Sequence, residues 1–168
     1  MRPAHLPIVG LLAMSLVLSA CGSDPTSPSD IPSTSSCSTK YSAIVNGTAW
    51  CAASVLGNYY AAQQQIVITG IGITGSTSWD ITLSVASIGV VGQFNLHNVA
   101  PLRVALVSNN SGVGYSTNGT GGSGTITFTT LSTTHVVGTF TFTAPATSGG
   151  TGTATITNGS FDVTLVPG

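Results

Sequence analysis

From Thr125 to Thr157 the chain is written largely in a period of two. Thr125, Thr127 and Thr129 flank Ile126 and Phe128; Thr139, Thr141 and Thr143 flank Phe140 and Phe142; Thr153, Thr155 and Thr157 flank Ala154 and Ile156. Successive side chains of a β-strand point to opposite faces, so this spacing builds sheets with one greasy side, whereas a helix would smear it around its circumference. Threonine suits the wet side, because its branched Cβ fits a pleated backbone while its hydroxyl keeps water. Upstream, Trp79, Ile81, Leu83 and Val85 alternate with Asp80, Thr82 and Ser84, and downstream Phe161, Val163 and Leu165 end the series. The expected fold class is all-β: an antiparallel meander of about eight to ten strands forming a small sandwich or barrel.

Threonine is needed on the wet side because ions are scarce. Only 4% of the 168 residues are charged, none is Glu, and 42% are hydrophobic. That apolar content excludes a disordered chain. Without a basic patch to neutralise several phosphates, nucleic-acid binding is set aside.

The N-terminus has a different composition. Arg2 precedes an apolar run from Leu6 to Leu18, which ends in Leu18-Ser19-Ala20-Cys21 before Gly22-Ser23-Asp24. Residues 1–20 read as a lipoprotein signal peptide, with Cys21 as the lipid attachment (palmitate-bearing) residue. The apolar run is broken by Pro7 and Gly10 and is shorter than the roughly 20 residues a membrane span needs. Residues 21–39, rich in Ser, Thr and Pro, form a solvated disordered tether, and residues 40–168 form the β domain. The expected location is outside the cytoplasm: exported and lipid-anchored in the envelope, on the periplasmic or cell-surface face of the outer membrane. In that oxidising setting Cys37 and Cys51 make an even pair, expected as a disulfide.

Within the domain, Asn46-Gly47 between Tyr41–Val45 and Thr48–Leu56 predicts a type I′ hairpin with Ala43 opposite Trp50. Gly57–Gln64 reads as a looser stretch, Gln65–Thr69 as a strand, and Gly70 and Gly72 as a bulge or bend. Val90–Leu96 reads as a strand, Leu102–Val107 as a buried helical turn or a strand, with its valines and the preceding Pro101 favouring strand, and Ser108–Gly124 as a long mobile loop. VNGTAW (Val45 to Trp50), the segment Gly122 to Ala144 and ITNGSFDV (Ile156 to Val163) together resemble a family of uncharacterised bacterial lipoproteins classed as a domain of unknown function. The resemblance spans residues 41–166. It implies a signal peptide, a short tether and one compact all-β domain in the envelope, and brings no activity with it.

Catalytic chemistry has little to draw on. The domain holds two histidines, His97 and His135, and two carboxylates, Asp80 and Asp162, with no Gly-x-Ser-x-Gly elbow, and both histidines read as solvated turn residues. An enzyme would need one of these histidines within hydrogen-bond reach of one of these carboxylates in a cleft. Neither metal-ligand spacing nor a cofactor motif is present. Asn-Gly-Thr and Asn-Gly-Ser triplets at 46, 118 and 158 read as turns or bulges. Rows of threonine on a flat face could bind ice or carbohydrate, but without a fixed-period solenoid repeat the preferred reading is solvation of a sheet that lacks charges, and Tyr59, Tyr60 and Tyr115 in loops could stack on a ligand, with packing over a sheet end preferred. The expected function is that of a non-enzymatic, membrane-tethered interaction or structural module, with an envelope protein or a glycan as partner. The alternative is a calycin-like barrel carrying an apolar small molecule among Trp50, Trp79, Phe94, Phe128, Phe140 and Phe142.

Overall fold

A computed structural model describes residues 37–97 and 100–168, so the expected signal peptide, Cys21 and nearly all of the tether lie outside the described residues. The strands are β1 (Tyr41–Val45), β2 (Thr48–Cys51), β3 (Ser54–Tyr60), β4 (Gln65–Thr74), β5 (Thr77–Val85), β6 (Gly92–Asn95), β7 (Arg103–Asn109), β8 (Gly114–Ser116), β9 (Ser123–Leu131), β10 (His135–Ser148), β11 (Thr153–Thr164) and β12 (Val166–Pro167). A single 3-10 turn, Ala61–Gln63, is the one helical piece among the described residues.

The strands form two leaves. The front leaf runs β6-β9-β10-β11-β1-β2 and the back leaf β8-β7-β5-β4-β3-β12. The 14-residue β10 belongs to both: its first part pairs with β9 and β11, and its end passes to β8 at Ala146 and Ser148. Strands that switch leaves in this way turn the corners of sandwich-like folds. The strand order runs from β12 to β2 without closing into a barrel. Twelve strands exceed the expected number, and β12 lies parallel to β3, so the meander is not purely antiparallel.

The local signals explain much of this. Asn46 and Gly47 have φ of 48° and 82°, the left-handed pair a type I′ turn requires, and Ala43 faces Trp50 as expected. Asn158, φ 50°, instead forms a bulge inside β11. Pairing slips beside it on both flanks, from Phe140↔Gly159 to Phe142↔Ile156 and from Ser42↔Ser160 to Ile44↔Thr157. The alternating residues enter the core: Ile81, Leu83, Ile126 and Ile156 are fully buried, with Phe140 and Phe142 nearly so.

Four expectations need correction. Gly57 is the middle of β3 rather than loose chain, because the strand expected from Thr48 to Leu56 breaks at Ala52-Ala53 and crosses to the other leaf. Gly70 and Gly72 sit inside a regular ten-residue β4 with no bulge. They are small because the front leaf presses on them: a Cβ on Gly70 would collide with the Tyr41 ring, and one on Gly72 with the Cys51 carbonyl and the Trp50 indole. The expected long loop from Ser108 to Gly124 contains the end of β7 and all of β8. Tyr59, Tyr60 and Tyr115 lie in strands, and Tyr59 and Tyr115 pack on the core.

Tyr41 joins the leaves. Its ring is fully buried, and its hydroxyl donates across the interior to the Ile81 carbonyl at 3.2 Å. Burial holds its phenol well above the ordinary tyrosine range. A Cys37–Cys51 disulfide, 14 residues apart with Cα atoms at 5.6 Å, then ties the start of the domain to β2.

Two stability outcomes follow. Gly70→Ala overpacks the Tyr41 seat and should cost about 1–3 kcal/mol in urea denaturation, whereas Gly75→Ala, with open space around its Cβ but positive φ, should show only a backbone penalty of about 1 kcal/mol. Reducing the disulfide should lower stability by about 3 kcal/mol by the loop-entropy relation, read as a shift in the urea midpoint between oxidised and reduced protein.

Candidate functional site

The outward threonines of the front leaf come into register. One row crosses six strands as Gln93, Thr127, Thr139, Ser160, Ser42 and Cys51. A second sets Asn95 beside Thr125 and Thr141, and a third sets Ser123 beside Thr143 and Thr155. Hydroxyl groups therefore cover the face in two dimensions, although each strand's sequence shows only one.

Three shallow depressions lie on this face, with volumes of about 370, 350 and 400 Å³. The first and second share Thr139 and Ser160, and the second and third share Thr125 and Thr141, so they join into one trough. Some of its hydroxyls are occupied: Ser42 bonds Ser160 at 3.1 Å, Ser123 bonds Thr143 at 3.2 Å, and Thr141 donates to the Ile156 carbonyl at 3.0 Å. Among the described residues, the hydroxyls of Thr125, Thr127, Thr139, Thr155 and Thr157 have no protein partner. The back leaf treats threonine differently, since Thr69 and Thr82 bond each other at 3.0 Å.

One end of the trough is charged. Asp162 Oδ2 accepts from Lys40 Nζ at 2.7 Å, and Asp162 Oδ1 is 2.8 Å from His135 Nε2. Of the four ionic side chains in the described residues, Lys40, Asp80, Arg103 and Asp162, two meet here. The Lys40 ammonium and then the His135 ring, both bonded to the carboxylate, hold Asp162 below the ordinary carboxylate range, against a smaller opposing effect of desolvation. The Asp162 N–H also donates to the Lys40 carbonyl at 3.0 Å, so the cluster fastens the start of the domain to β11.

His135 therefore corrects an expectation: it opens β10 and is bound to a carboxylate, rather than being a turn residue with only water around it. It lies two strand positions from Asp162 on the paired strand, where Val137 is the direct partner of Asp162. A nucleophilic triad would also need a hydroxyl on the second imidazole nitrogen. Among the described residues no hydroxyl bonds the ring; Ser132 Oγ instead meets the His135 backbone, accepting from its N–H and donating to its carbonyl. The arrangement can orient chain segments and offer hydrogen bonds to a polar ligand. His97 forms a backbone bridge to Arg103, and Asp80 bonds Ser108 on the back leaf.

The rings expected to line a carrier's cavity are found mostly in contact with one another. Trp50 meets Tyr41 at 5.4 Å, Tyr41 meets Phe140 at 5.6 Å, Phe140 meets Phe161 at 6.3 Å and Phe142 at 6.1 Å, and Phe161 meets Phe128 at 5.5 Å. Phe94, half-buried, continues the series at 6.1 Å from Phe128 and carries the Arg103 guanidinium over its ring at 4.6 Å. Trp79 stands apart with Tyr115 at 6.4 Å. Sequence reasoning missed Lys40, Ser42 and Ser160. His135 stands 13 residues before the end of β10 and Asp162 nine after the start of β11, and this offset hides their meeting in the sequence.

Residues 39–164 match a family described as a domain of unknown function, DUF6252. No curated protein and no solved structure matches the chain.

A carboxylate with a lowered pKa adds stability that is full above its unfolded-state pKa and is lost as pH falls through its lower folded-state value. Asp162→Asn should therefore lower the melting temperature at neutral pH. The gap from wild type should close below the ordinary carboxylate range, as measured by thermal melts in a pH series.

Proposed function

The chain belongs to the DUF6252 family, and from that premise we propose that it is a non-enzymatic, lipid-anchored module of the cell envelope that presents the front-leaf trough to a partner. The observation that carries this reading is the contrast between the two sides of the front leaf. Its inner side is filled by rings in mutual contact, and its outer side bears a trough in which the hydroxyls of Thr125, Thr127, Thr139, Thr155 and Thr157 stand without protein partners among others that bond each other. An interaction surface is useful only if the fold behind it is rigid, and the disulfide and the Lys40–Asp162 pair both brace the place where the chain enters the domain. The disulfide also supports export, because such bonds persist in oxidising compartments. Cys21 would carry the lipid at the outer membrane, and residues 22–36 would let the domain stand off from the surface.

The carrier reading has one observation in its favour: Trp50 Nε1 is buried with no hydrogen-bond partner, as a group awaiting a ligand would be. Gly72 packs directly against that nitrogen, so the module reading is preferred.

Mass spectrometry of the mature N-terminus, with incorporation of an alkyne-bearing palmitate analogue, tests the anchor. Wild type should begin at an acylated Cys21, and Cys21→Ser should lose both label and membrane association; an unmodified Cys21 would remove the anchor. Titration with the apolar fluorophore N-phenyl-1-naphthylamine separates module from carrier, because a carrier would bind it at one saturable site in the folded state.

A further inference from the structure

Building on the module reading, we propose that the front-leaf trough binds a neutral polysaccharide strand, several sugar units at a time. Each of the three linked depressions, at about 350–400 Å³, falls within the general range of small-ligand sites, and their shared residues make the trough a track rather than a single socket. A hydroxyl donates one hydrogen bond and accepts two, so Thr125, Thr127 and Thr139 offer the same mixed functionality that sugar hydroxyls present. These groups are uncommitted to protein partners.

Charge narrows the partner further. Along the rows through Thr125, Thr127, Thr139 and Thr141 no ionic side chain lines the trough, and the charges at its end are already paired with each other. A polyanionic glycan would find no cation to replace its counterions there, and a charged protein surface would lose solvation without recompense. A neutral polyhydroxylated chain exchanges hydrogen bonds with water for equivalent ones with threonine. Its repeating units also match a face on which hydroxyls recur about every 7 Å along a strand and about every 4.8 Å between strands.

The test uses the full chain, immobilised in a non-glycosidic detergent, with dextran, mixed-linkage β-glucan and galactomannan as neutral probes and polygalacturonate as the charged one. At least one neutral polymer should bind with an affinity unchanged between low and high salt, and polygalacturonate should not. Thr125→Val with Thr139→Val keeps strand-forming shape but removes two hydroxyls, and should weaken binding about tenfold or more. Serine at both positions should restore it, and Thr69→Val on the back leaf should leave it unchanged. Binding by none of the neutral polymers, or equal binding by the valine variant, would overturn the inference. A photo-crosslinker at Thr139 in intact cells distinguishes the two levels: capture of an envelope protein without glycan binding retains the module and rejects this ligand, while neither outcome rejects both.

Discussion

Two β-leaves can approach each other only where one gives up side-chain volume for the other, and here that exchange is made between aromatic rings and glycines. Tyr41 sits where Gly70 has no Cβ, and Gly159 leaves room for the ring of Phe140 within the front leaf itself. The geometry explains why a ten-residue strand as apolar as β4 contains two glycines without bending. It also sets the depth of the core, because the Tyr41 hydroxyl can reach the Ile81 carbonyl only when the ring lies close to β4. The cost is a loss of tolerance: small additions at these seats are felt across both leaves.

Scarcity of charge shapes the outside as strongly as the rings shape the inside. With four ionic side chains in the described residues, solubility rests on hydroxyls and amides, and strand pairing gathers those hydroxyls into rows on the front leaf. The back leaf shows another solution. Leu56, Ile71, Ile73 and Leu106 remain exposed there, interspersed with Thr and Ser residues that partly bond each other. The same residue type thus serves as a self-satisfied filler on one leaf and as an open hydrogen-bonding surface on the other.

Much of the fold was legible in the residues because it depends on short-range rules. The Asn46-Gly47 turn, the facing of Ala43 and Trp50, and the burial of Ile81, Leu83, Phe140 and Phe142 all follow from φ preferences and a period of two. The break at Ala52-Ala53 was not legible, since no Gly or Pro marks it; the chain crosses there because the front leaf ends and the back leaf begins. The charged cluster was hidden for a related reason. Lys40 and Asp162 are 122 residues apart, and only the pairing of β1 with β11 brings them together.

The amino-acid sequence alone determined the strand character of the domain, the inward and outward sense of its long alternating runs, and the tight turn that starts it, because each is settled by bonds and contacts within a few residues. Which strands are neighbours was decided by the tertiary structure, and with it the joining of separate threonine runs into one trough, the meeting of His135 with Asp162 and the seat of Tyr41 on Gly70. Those features depend on register between distant segments. Register is set by how the whole interior fills.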